Sequence, residues 1–461
     1  MRLLAVLISL GLLTTPLGEA YAPIPGSHPS PQAVTLYNPD PTHIWNRLYE
    51  ALFVREGPAG IRYGADSLDP LLWLNSKYLL VSPSHQRALR VLDEFLQTHA
   101  ENLIHDPVKR AILQRDLWAV FDWSVQREPE HLGEAQYEAE KQELQIRLAE
   151  VLRRLALTPK QIESLPDNYA QAVASEEFGK EYQPEQRDRP FLPPDLFDGR
   201  GPWVEIEDPG EIEPVAATHV YAVSGRSRFL VFMRLPQGRQ ATLDYFRTLW
   251  DFPQPWVVRA DEPKQAEVNP NLPSFPAGTE VALVRQMTLF DNQGQLVPAP
   301  ITESVQIRVY RAVTRKEDVD SIASLNDAIA RSEQDFYEIR LSRSQLFAHK
   351  TGGLRAVGRE EREFLTFQAQ GDDLIEDSVR FPPSKYPPVV QTCAECHRGA
   401  GINSLNSRAS LLKPKSRQLA SERGVDSPRW WENDGMIEWK RQRYDWGLLN
   451  GYWRGKPDAT R

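Results

Sequence analysis

The alternation of apolar and polar residues divides the chain into regions of different period. Between residues 42 and 180 the apolar positions recur at helical spacing. In Glu134–Leu157, the side chains of Leu144, Leu148, Val151, Leu152 and Leu155 fall on one stripe, the period of about 3.6 residues expected of an amphipathic helix. Thr158-Pro159 follows as an N-cap and first-turn pair that opens another helix. Leu71–Val81 and Pro107–Val125, rich in leucine and tryptophan, also read as helices. From about residue 215 to 345 the period shortens. His219–Val223, Arg228–Arg234, Glu280–Phe290, Val305–Val313 and Phe336–Leu341 carry β-branched and aromatic residues, several in alternation, and are expected as strands. Asp291-Asn292-Gln293-Gly294 supplies a turn between two of them.

Proline marks the joints. Residues 184–214 are loop-like and read as a linker, and the pairs Pro382-Pro383 and Pro387-Pro388 precede a second change of character. Beyond them, Trp439, Trp446 and Trp453 recur every seven residues and would share one helix face, as a pocket wall or as a docking stripe. The expected fold is therefore α+β and multidomain: a helical N-terminal domain (21–183), the linker, a β-rich middle domain (215–345) and a C-terminal helical segment (346–461). Residues 1–20 read as a signal peptide, with Arg2, the apolar run Leu3–Leu13 and the small-residue region Ala20-Tyr21-Ala22. The expectation is an exported, periplasmic protein with no transmembrane span, since no later stretch reaches the ~18 apolar residues a span needs.

Composition narrows the chemistry. A formal charge of −9 argues against a nucleic-acid partner, which a basic face would have to neutralise. The basic residues gather at the end: Arg398 to Arg461 holds 13 Lys/Arg against 7 Asp/Glu, enough to hold anionic groups, to steer an acidic partner or simply to solvate a helix face. His85, His99, His105 and His131 match no zinc spacing and read as surface or core residues. The two cysteines of the chain are Cys393 and Cys396, in the run Cys-Ala-Glu-Cys-His that ends at His397.

That run is the haem attachment pattern C-x-x-C-H. Each thiol adds to one vinyl group of the same porphyrin edge, and the adjacent histidine offers an imidazole nitrogen as proximal iron ligand. The competing readings are half a zinc site, which lacks a second cysteine pair, and a thioredoxin-like redox pair, which would follow a strand rather than proline-rich loop. The run resembles that of c-type cytochromes. The resemblance implies one covalent haem c on Cys393 and Cys396, His397 on the iron, maturation by the cytochrome c attachment machinery, and electron transfer with a redox partner protein. Small electron carriers of this class place a helix before a motif near the N-terminus, whereas here proline pairs precede a motif near the C-terminus. A looser resemblance, carried by Phe275-Pro276-Ala277-Gly278-Thr279 leading into Val281–Met287, is to the lysine-crosslinked cytochromes and the β-sheet cytochromes c-prime. Lys350 and Lys385 are the candidates for such a crosslink.

The distal ligand separates the possible functions. Met436 is the first candidate, against a reading as core methionine, and His349 the second, against a reading as a loop residue before Gly352-Gly353. A sixth ligand suits periplasmic electron transfer; an open site suits a haem enzyme or a binder of gases, peroxide or nitrogen oxides.

Overall fold

Four of the five expected strand runs pair in one antiparallel sheet. The computed structural model describes residues 34–56, 62–63, 78–80, 83–125, 137–207, 216–258, 266–269, 271–313, 333–361, 390, 397, 401–405, 413–414 and 435–455. Within these, β1 (Val204–Glu207), β2 (Ser227–Arg234), β3 (Thr279–Phe290), β4 (Leu296–Tyr310), β5 (Gln334–Leu341), β6 (Leu354–Ala356) and β7 (Lys413–Pro414) form a sheet in the order β6-β5-β4-β3-β2-β1-β7. The β3–β4 hairpin closes at the expected turn. Asp291 Oδ1 accepts the backbone N–H groups of Gln293 and Gln295, both at 2.8 Å, and Gly294 takes the positive φ of 75° that the turn requires.

Directly paired residues of an antiparallel sheet share a face. One face presents Leu230 and Phe232 of β2, Ala282 and Val284 of β3, Val305, Ile307 and Val309 of β4, and Tyr337, Ile339 and Leu341 of β5. All are buried, in one cluster with Ile162 of α5 (Pro159–Glu163), Tyr169 and Ala172 of α6 (Asn168–Ala174), and Leu165 between the two helices. The Thr158 side chain and Gln161 cap α5 reciprocally, as the sequence signature requires.

The remaining N-terminal helices are α1 (Ile44–Phe53), α2 (Ser84–Gln97), α3 (Pro107–Val125) and α4 (Glu138–Leu155), and they share a core in which the expected α4 stripe is fully buried. Helix α3 is buried almost all round, charged residues included. Asp116 receives two 2.7 Å bonds from Arg343, at the start of α9 (Arg343–Phe347), and Asp122 receives Lys440 Nζ at 2.7 Å.

The sequence reading needs correction in three places. His219–Val223 is not a strand: Ala217–Ala222 forms the short helix α7. The proposed linker contains β1, and Arg239–Trp250 forms helix α8 within the β-rich region. The tryptophan tail is two helices, α10 (Gly435–Arg441) and α11 (Tyr444–Trp453). The break separates Trp439 from the other two rings, which stay 5.9 Å apart. Trp446 packs on Trp118 (5.8 Å between centroids) and Trp453 Nε1 donates to Ala149 O at 2.8 Å, which docks α11 on α3 and α4. Trp439 instead packs on Tyr221 of α7 at 5.0 Å. The signal-peptide segment, most of Leu71–Val81, Lys385, Cys393 and Cys396 lie outside the described residues. Among the described residues no helix is long and apolar enough to cross a membrane.

Candidate functional site

The second face of the sheet differs from the first. Val231, Leu283, Arg285, Gln306, Arg308, Phe336 and Arg340 lie on it, and each is only half-buried. An apolar cluster covers one end, around Val204, Met233, Phe246, Phe275 and Tyr310, with Ile402 and Leu405 packed against it. A second cluster covers the other end, formed by Val220, Val223, Phe229 and Met436. Between the two, apolar side chains alternate with guanidinium groups.

His397 is held over this face by the segment 401–405. Its Nδ1 lies 2.8 Å from Ser404 O, and a carbonyl can only accept, so Nδ1 carries the proton and Nε2 the lone pair. Ser404 is itself fixed. Its carbonyl also accepts from Arg308 Nη1 (3.0 Å), its Oγ donates to Gly401 O (2.7 Å), and Tyr310 Oη donates to that Oγ (2.5 Å). The His397 carbonyl accepts from Gln334 Nε2 at 3.3 Å. Burial and the neighbouring Arg308 charge push the His397 imidazole down to about 4, so it is neutral at ordinary pH.

A second imidazole faces the first. His219, on α7, has its ring centre 6.2 Å from that of His397, with the two planes within 2° of parallel. It sits beside Phe229, 5.7 Å away. Burial lowers its pKa, and the charges of Arg308 and Arg285 lower it further. Helix α7 is framed by left-handed residues, Ala216 (φ 57°) before it and Ser224 (φ 52°) after it. The chain then passes through Gly225, where a Cβ would come within 2.8 Å of the Trp439 ring.

The other candidates lie elsewhere. Met436 is buried behind α7, and its Sδ accepts the Phe229 N–H at 3.1 Å, beyond the end of β1. His349 is exposed in the turn after α9, with φ 54°. That turn belongs to the helix-covered side of the sheet: Leu346 joins the closed cluster, and a Cβ on Gly352 would meet Asn168 O of α6. Lys350 is exposed in the same turn. His219 does not stand out in the sequence, because His219–Val223 reads as a strand. Its one local signal is the i, i+3 pair Val220 and Val223, which gives a short helix a buried side.

The donor set suits some metals better than others. Among the described residues no group of three or more His, Cys, Asp or Glu gathers to hold a metal ion by itself. An iron that brings four porphyrin nitrogens needs only one or two protein ligands, and a porphyrin needs apolar surface with cations for its carboxylates. Two imidazoles over a face that carries Val231, Leu283, Phe336 and Arg308 fit that group. No family model, no curated protein and no solved structure matches the chain.

Proposed function

We propose that the protein is an exported mono-haem c-type cytochrome that works in periplasmic electron transfer. The observation that carries this reading is the fixed tautomer of His397. The residue that closes Cys393-Ala394-Glu395-Cys396-His397 has Nδ1–H bound to Ser404 O, leaving Nε2 as the nitrogen able to ligate. Iron-ligating histidines characteristically donate their other ring N–H to a carbonyl or carboxylate, which sets the ring and raises its basicity.

Bound haem would supply one-electron chemistry at its iron. The chain's own residues hold it there. Cys393 and Cys396 anchor it covalently, and Ser404, Arg308 and Tyr310 keep the His397 ring in place. Val231, Leu283 and Phe336 give apolar surface, while Arg308 offers charge to a carboxylate of the macrocycle. The basic residues after Arg398 suit an acidic redox partner.

The test is maturation. The full chain, co-expressed with the cytochrome c attachment machinery, should carry one haem that survives denaturing electrophoresis. Cys393→Ala/Cys396→Ala should carry none. A wild-type chain without covalent haem, or a double variant that keeps it, would remove the reading.

A further inference from the structure

We propose that His219 is the second axial ligand of the haem iron, so that the centre is six-coordinate through two histidines. This rests on the haem reading above, and it adds a residue that the attachment motif does not specify. The distance carries it. A metal held between two imidazoles makes two bonds of about 2 Å, and each donor nitrogen lies about 1.1 Å from its ring centre, so the centres stand about 6 Å apart. The His219 and His397 centres stand 6.2 Å apart, in planes 2° from parallel.

The surroundings support the same assignment. Among the described residues neither imidazole forms an ion pair with a carboxylate, and the Arg308 guanidinium shares the Ser404 carbonyl with His397. Helix α7 is held from behind. Val220 and Val223 pack on Phe229 and Met436, and Trp439 of α10 closes against Gly225. The Met436 sulfur, which the sequence offers as a ligand, accepts a backbone N–H and so helps fix the helix that presents His219. A centre closed on both sides has no open position for a substrate, which separates an electron carrier from a haem enzyme.

The experiment uses the matured holoprotein and reads absorption and electron paramagnetic resonance spectra with and without carbon monoxide. The wild type should be low-spin and indifferent to the gas. His219→Ala should become high-spin and bind carbon monoxide, and added imidazole should return it to the low-spin state. His219→Met keeps a side chain of similar length, guards against a folding defect, and should add the sulfur-to-iron charge-transfer band and raise the potential. Covalent haem whose low-spin spectrum survives His219→Ala overturns the ligand assignment and leaves the haem reading standing. A wild type that is high-spin and takes up carbon monoxide does the same and turns the function toward ligand binding. A chain that carries no haem overturns both.

Discussion

Ile307 and Gln306 are neighbours on β4, yet they face opposite sides of the sheet and different surroundings. Ile307 is fully buried among helices, while Gln306 is half-buried on the side where His219 and His397 meet. The helix-covered side is closed: its apolar positions on β2 to β5 lie in one buried cluster with residues of α5, α6 and the chain before β1. Its neighbouring buried charges are paired, as Asp116 is with Arg343. The other side mixes Val231, Leu283 and Phe336 with Arg308 and with Arg285, which Glu303 pairs at 3.1 Å, and these residues stay half-buried. A sheet can thus spend one face on folding and keep the other for a large ligand with apolar area and negative charge.

The sharpest break of this comparison is to disturb the closed side at its ion pair. Asp116→Ala would leave the Arg343 guanidinium buried without the carboxylate that accepts two of its hydrogen bonds. The loss should be about 3–5 kcal/mol in urea unfolding, and Asp116→Ala/Arg343→Met should recover much of it. A loss below about 1 kcal/mol, the size expected of surface pairs, would mean that water reaches this side.

A smaller effect separates the two faces directly. Ile307→Ala should cost about 2–5 kcal/mol through lost burial and a residual cavity. Gln306→Ala, one residue away, should stay within about 0.5 kcal/mol. Equal losses would show that both faces are packed alike and that the contrast is false.

What the sequence revealed follows the range of the interactions involved. The C-x-x-C-H run is legible because the attachment proposed for it, two thioethers and a ligand on one porphyrin edge, would demand contiguous residues. The α5 cap and the β3–β4 turn are legible because Thr158, Gln161, Asp291 and Gly294 act within their own turns. His219 is not, because tertiary packing alone brings α7 beneath His397. In so short a window, His-Val-Tyr-Ala-Val satisfies strand and helix periods equally, and Phe229 and Met436 decide between them. The tail departs from its expected single helix for a similar reason. A seven-residue tryptophan spacing implies one face only if one helix runs through it, and the break at Gln442–Arg443 sends Trp439 to α7 and its two partners to α3 and α4.

The smallest effect tests function rather than stability. Tyr310 is buried against Phe275, 4.6 Å between ring centres, and its hydroxyl supports Ser404, whose carbonyl holds the His397 ring. Tyr310→Phe keeps the ring and removes one hydrogen bond, at a cost of about 0.5–1.5 kcal/mol. Ile307→Val, on the closed face, costs a similar amount, about 0.5–1.5 kcal/mol, so the two variants are matched in stability. They should differ in the potential of the haem-loaded protein. With Ser404 less firmly held, the His397 N–H bond weakens, the imidazole becomes a poorer donor, and the oxidised iron loses stabilisation. The potential of Tyr310→Phe should therefore rise slightly, while that of Ile307→Val stays at the wild-type value. A shift in both or in neither would mean that the open face does not act on the iron through Ser404, and would leave the two faces distinguished by packing alone.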